Sequence, residues 1–279
     1  MRLFPRLLLM GAAALLLAGN ARSGTFVRLR IVGYAMNAFI EAELLDDEKP
    51  VTVSNFMRLV ESGSFSNMFL HRLMPGFVMQ GGGFRVNAAG SNIEAVPHFG
   101  AITNEFGVGP FYSNVRGTIA MAKVGGDPDS ATSQFFINLA DNSVNLDNHN
   151  GGFTVFARVL SDPANMISAW NSMSYSNGYV DAGGSFSNLP VNYIGTNIPA
   201  YSQLIYCDVS FMQVAVSNSP SGHLISWNSA AGLTNIVEYT EQFAPPAWQP
   251  LMETNGTGAR LGVTDTNSAA ARFYRVRVK

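Results

Sequence analysis

Phe69-Leu70-His71-Arg72-Leu73-Met74-Pro75-Gly76-Phe77-Val78-Met79-Gln80-Gly81-Gly82-Gly83-Phe84 is the stretch whose reading decides what this chain is. It sets one arginine and one glutamine in a run of apolar residues and glycines. A cation embedded in apolar sequence is unusual outside nucleic-acid grooves and carboxylate clamps, because burying it unpaired is costly. Taken alone, Arg72 has two readings: one arm of a surface ion pair, or a guanidinium held ready for use. The second has chemical content, since a guanidinium keeps its charge and presents a rigid fork of N–H donors.

A second segment sharpens the choice. Gly117-Thr118-Ile119-Ala120-Met121-Ala122 is followed by Ser133-Gln134-Phe135-Phe136-Ile137-Asn138. Together with the first stretch this resembles the cyclophilin family of peptidyl-prolyl isomerases, over roughly residues 25–215. The resemblance implies an enzyme that acts on proline-containing, unfolded or extended polypeptides and needs no cofactor or metal. It implies that Arg72 and Gln80 are the catalytic pair. Phe77, Met121, Phe136 and Leu146 would line a slot for the proline ring, and Ala122 and Gln134 would border the adjoining peptide groove. Val78, Lys123 and Phe153 fall at further substrate-facing positions, where methionine, asparagine and histidine are common in the family. Asn145 stands where many eukaryotic members carry tryptophan, which implies weak sensitivity to the cyclic peptide cyclosporin. The alternative is a non-catalytic proline-peptide binding or adhesion module; the presence of both Arg72 and Gln80 favours the enzyme.

Composition agrees with a packed protein. Hydrophobic residues make up 47% and charged residues 13%, enough for a sizeable core and too apolar for wholesale disorder. The net charge of -2 offers no footprint for nucleic acid. Residues 1–23 read as an export signal: Arg2 and Arg6, then the apolar run Leu7–Ala18, then small residues at Gly19, Ala21 and Ser23. The apolar run is too short to span a bilayer comfortably. The expected location is therefore periplasmic or extracellular, with no stable membrane insertion after cleavage, and the expected state is a monomer. Cys207 is the only cysteine, so no internal disulfide is expected.

Residues 24–216 alternate short apolar strands with Gly-, Asn- and Pro-rich turns. Two helices are predicted. One runs over about 50–62, with Pro50 at its first turn, Val53, Phe56, Met57 and Val60 as its apolar stripe, and Gly63 as C-terminal cap. The other opens at Asp162-Pro163 and carries Met166, Ile167, Trp170 and Met173. Many strands with two helices point to a mainly β fold, a closed antiparallel barrel with helical caps. The polar, Gly-rich stretch 174–202 reads as a surface loop. Residues 217–279 read as a small fibronectin- or immunoglobulin-like β-module entered through the turn or linker Asn218–Gly222, with strands at His223–Trp227, Ile236–Tyr239 and Arg272–Val278.

Other signals carry less. Gly81-Gly82-Gly83 lacks phosphate-loop spacing. His71, His98, His149 and His223 are scattered without metal-ligand spacing. Asp127, Asp129, Asp141 and Asp147 do not follow an EF-hand loop and read as turn residues.

Overall fold

The computed structural model describes residues 25–33, 36–162, 164–211, 214–229, 234–242, 247–257, 260–267 and 271–278. The export segment expected at 1–23, and Pro163, lie outside them. The first part of the chain runs β1 (Phe26–Gly33), β2 (Met36–Leu44), α1 (Pro50–Glu61), β3 (Arg72–Met74), β4 (Val78–Gly81), β5 (Phe84–Val86), β6 (Ile93–Ala95), β7 (Thr118–Met121), β8 (Phe135–Asn138), α2 (Ser143–Leu146), β9 (Val155–Ser161) and α3 (Met166–Asn171). Then come β10 (Ser174–Tyr175), β11 (Asn177–Val180), β12 (Leu189–Ile194) and β13 (Tyr206–Phe211).

Eight of these strands form one sheet in the order β13-β1-β2-β9-β7-β8-β4-β3. The residues just before β3 bring its two ends together. Phe69 bridges Tyr206, the Leu70 N–H donates to the Ile205 carbonyl at 2.8 Å, and the Cys207 N–H donates to Met68 at 2.9 Å. The sheet thus closes on itself, and the edges an open sheet would expose are paired.

The period-2 pattern of the strands decides what is inside. Val27, Leu29 and Ile31 of β1 and Ile40, Ala42 and Leu44 of β2 are buried in one core with Leu73, Met79, Ile119, Met121, Phe135 and Ile137. Helix α1 lays Val53, Phe56 and Leu59 into that core, where Phe56 meets the rings of Phe65, Phe135 and Phe156 at 5.0–5.7 Å. Each such side chain contributes about 1.5–3 kcal/mol on burial.

Both ends of α1 have identifiable causes. At its C-terminus Gly63 adopts φ +72°, and the Ser64 N–H donates back to Leu59, a glycine-terminated stop. At its N-terminus the cap comes from 53 residues downstream: the Glu105 carboxylate accepts the N–H groups of Val51 (3.0 Å) and Thr52 (2.7 Å). In α3 the N-cap position falls to Asn165 rather than to the expected Asp162, because the helix begins only at Met166, but the Asp162 carboxylate still accepts the N–H groups of Met166 and Ile167. The single turn α2 is a third helix, where the sequence predicts two.

The stretch 174–202 is not a surface loop. It forms a small sheet, β10-β11-β12, and buries Val180, Leu189 and Val191 against Phe69 and Val86. Phe186 packs edge-on against Phe84 at 4.8 Å, and the Leu73 N–H of β3 donates to Asn188 at 2.7 Å. The period-2 signal is masked there by glycines and by Pro190 inside β12.

The C-terminal module consists of β14 (Val214–Ser219), β15 (Gly222–Asn228), β16 (Thr234–Thr240), β17 (Gln249–Asn255), β18 (Arg260–Asp265) and β19 (Phe273–Val278). They form two three-stranded sheets, β14-β15-β18 and β17-β16-β19, that share a core of Ile225, Trp227 and Val237. The segment Asn218–Gly222 is not a linker between units: it is the turn of the β14–β15 hairpin, inside the module. Buried Trp227 donates its indole N–H to Asn235 at 3.1 Å. Asp265 accepts from Arg272 (2.7 Å) and Tyr274 (2.8 Å). Burial works against the Asp265 carboxylate, but these bonds and one from the Asn267 N–H outweigh it and hold its pKa below the usual range.

Candidate active site

The register of the barrel writes the site. Arg72 of β3 is paired with Gln80 of β4, Gln80 with Phe136 of β8, and Phe136 with Ala120 of β7. These four residues stand in one row across four neighbouring strands, each about 4.8 Å from the next, and alternate with the core-facing set. Arg72, Gln80 and Phe136 of this row floor a cleft of about 400 Å³ on the outer face of the barrel, with Ala120 packed beneath. Arg72, Phe77, Val78, Gln80, Ala122, Lys123, Gln134, Phe136, Leu146 and Phe153 all line it.

Met121 does not. It is 1% exposed and belongs to the barrel core. The reason is parity: consecutive strand residues face opposite sides, so with Ala120 and Ala122 on the cleft side Met121 points inward. His71, Phe84 and Ser185 also line the cleft. The sequence reading gives Phe84 and Ser185 no role in the site. Ser185 comes from the 174–202 segment, and no spacing in the sequence links it to the motif.

Arg72 is held, not neutralised. Its Nη1 donates to Gln80 Oε1 at 3.2 Å and its Nη2 faces the Met74 sulfur. Among the described residues it makes no ion pair. Burial lowers its pKa, but a guanidinium starts so high that it stays charged. Gln80 Nε2 in turn donates to Gln134 Oε1 at 2.7 Å, which fixes both amides. Behind them His71 is buried with its ring edge against Phe84 at 5.1 Å. Burial, and then the adjacent Arg72 charge, push its pKa down to about 4 against a hydrogen bond with Gln134. His71 is therefore neutral at pH 7 and adds no second charge beside the guanidinium.

The apolar side of the cleft is Phe77, Phe136, Leu146 and Phe153, with Val78 and Ala120 beneath. Phe153 meets Phe136 at 5.9 Å and 66°. A chain of amides anchors the two outer rings through their backbones. Asn142 donates to the Phe77 carbonyl (2.9 Å) and to Asn138 (2.7 Å); Asn138 donates to Asn114 (3.2 Å); Asn114 donates to the Phe153 carbonyl (2.9 Å) and to Asp147 (2.8 Å). Asp147, a turn residue by sequence, thus terminates this network.

The fold is thus a closed β-barrel with a guanidinium that has no carboxylate partner among the described residues, set beside an aromatic slot on the outer face. The profile of the family described as cyclophilin type peptidyl-prolyl cis-trans isomerase/CLD matches residues 32–182. A peptidyl-prolyl cis-trans isomerase of Acinetobacter baylyi is 37% identical over 147 residues, 52% of this chain and 72% of that protein. Peptidyl-prolyl cis-trans isomerase A of Dickeya dadantii is 39% identical, covering 50% of this chain and 72% of its own length. Peptidyl-prolyl cis-trans isomerase B of Escherichia coli is 39% identical, covering 43% and 71%. The chain belongs to the cyclophilin-type peptidyl-prolyl cis-trans isomerases. The matched profile ends before β12, so the C-terminal module lies beyond it.

Proposed function

We propose that this protein accelerates rotation about Xaa-Pro bonds in exported polypeptides, as a monomer, and so assists their folding. An Xaa-Pro bond isomerises in tens to hundreds of seconds unaided, over a barrier of roughly 18–20 kcal/mol supplied by amide resonance. In the twisted transition state that resonance is lost and the prolyl nitrogen becomes pyramidal, with a lone pair. A permanent donor aimed at that lone pair binds the twisted state better than either planar isomer, which is the condition for catalysis. Arg72 is that donor, and Gln80 beside it positions the peptide backbone. No nucleophile or proton transfer is needed.

One charge-assisted hydrogen bond supplies about 1.5–3 kcal/mol. Reaching milliseconds takes about four decades, or roughly 5–6 kcal/mol. The remainder falls to the apolar slot: Phe77, Phe136 and Leu146 hold the proline ring in a partly dry site that disfavours the polar planar amide. The observation that carries the reading is a charged guanidinium, with no carboxylate partner among the described residues, in the same cleft as Phe77, Phe136, Phe153 and Leu146.

The export half rests on the residue pattern of 1–23, and N-terminal sequencing of protein recovered from the exported fraction tests it. The catalytic half is tested by Arg72→Ala in a protease-free isomerisation assay. The expected result is a loss of about 10- to 150-fold in kcat/KM with an unchanged circular-dichroism spectrum. Equal rates would make Arg72 a structural residue.

A further inference from the structure

Lys123 lies at the rim of the cleft, where the family resemblance implies a direct contact with substrate. The structure gives it other partners. Its Nζ donates to the carbonyls of Asn150 at 2.7 Å and Gly152 at 2.5 Å, and lies 4.7 Å from the centroid of the Phe153 ring. Asn150, Gly151 and Gly152 have φ values of 51°, 72° and 74°. Glycine takes positive φ without steric cost and asparagine tolerates it, so the sequence permits this left-handed run without dictating it, and other contacts decide whether it is kept. Side chains do the holding here. Lys123 takes the first and third carbonyls, and Asn104 takes the second at 2.8 Å and shares the third at 3.2 Å. Asn150 returns its own amide to the Val124 carbonyl at 2.9 Å, next to Lys123. Phe153 follows this turn directly, and its N–H donates to Leu146 at 3.0 Å, so the turn sets where the ring stands. Burial lowers the Lys123 pKa while Asp129 and Asp127 act against it at longer range, as for an ammonium drawn into protein rather than left in water.

We propose that Lys123 is a positioning residue that holds Phe153 as a wall of the proline slot through the carbonyls of the 150–152 turn, and that it does not read substrate charge. The inference rests on the isomerase reading of the cleft.

A double-mutant cycle tests it. Lys123→Met keeps the stem and removes the donors; Phe153→Ala removes the wall, with Phe153→Leu as substitute if the alanine variant does not fold. Peptides carry alanine, glutamate or lysine before proline. Lys123→Met should lower kcat/KM roughly tenfold, mainly through KM and equally for all three peptides, and Lys123→Arg should restore most of it. In the Phe153 variant the same change should cost less than about twofold, because residues acting through one contact are not additive. Hydrogen exchange of the Phe153 amide should quicken in Lys123→Met while amides of β4 and β8 keep their protection. The proposal is overturned by an undiminished loss in the Phe153 background, by a loss confined to the glutamate peptide, or by unchanged exchange at Phe153. The exchange arm needs no turnover. A wild type without isomerase activity would therefore sink the reading of the cleft, while the clamp would still be decided by exchange.

Discussion

The two sides of the cleft are built by different means. Arg72, Gln80 and Phe136 are set opposite one another by hydrogen-bonded strands, so their spacing is a property of the sheet. Phe153 depends on a left-handed turn held by the side chains of Lys123, Asn104 and Asn150. A ladder of backbone bonds tolerates little displacement, which suits a donor that must meet a developing lone pair. A turn tied by side chains can be re-tied by substitution, which suits a wall that fits the residues around the proline. Variants of the strand side should therefore change kcat, and variants of the turn side should change KM.

The largest effect should come from Gly82→Ala, which breaks the strand side at its root. Gly82 has φ +78°, and a methyl there would sit 2.2 Å from the Ser133 carbonyl. Denaturant unfolding should show a loss of about 3 kcal/mol or more; a change under about 1 kcal/mol would mean that the junction of β4 and β8 yields. Next comes acid. With a native pKa of about 4 against 6.5 unfolded, His71 takes a proton in the unfolded chain before it does in the native one. Stability should therefore fall as pH drops from about 6.5 towards 4, by about 3 kcal/mol in all. His71→Gln should flatten that slope, and parallel pH profiles for the two proteins would refute the assignment.

Gln80→Leu leaves Arg72 Nη1 and Gln134 Oε1 without their partner. Steady-state assays should give kcat down about tenfold and KM within about twofold; the reverse pattern would erase the distinction between the two sides. The smallest effect concerns cyclosporin. Asn145 is exposed on α2 and does not line the cleft, so inhibition should be weak and Asn145→Trp should strengthen it. Nanomolar inhibition of the wild type would contradict this.

Much of the strand side is legible through the resemblance, which names the residues at 72, 80 and 136; the register that sets them on one face comes from the structure. Strand parity was available to place Met121 inward, since Ala120 and Ala122 flank it, and the resemblance obscured it. Long-range donors leave no local trace. Nothing near Pro50 shows that Glu105 caps α1, and nothing near Gly151 shows that Asn104 holds the turn. The 174–202 segment misleads for another reason. Its buried residues, Val180, Leu189 and Val191, are too few and too interrupted for a periodic signal, yet together with Phe186 they cover Phe69 and Phe84.

Closure of the barrel through Leu70 and Ile205 also sets an order of events as the polypeptide emerges. Val27 pairs with Phe211, nearly the whole domain away, so the first strand waits for the last. Until the final strand arrives, β1 and the approach to β3 present raw borders able to recruit other chains. A fragment cut where the family profile ends, at residue 182, would keep Arg72, Gln80 and Phe136 and still lack the seam that makes them a catalyst. The nascent protein is thus for a time one of the incomplete clients it is proposed to serve.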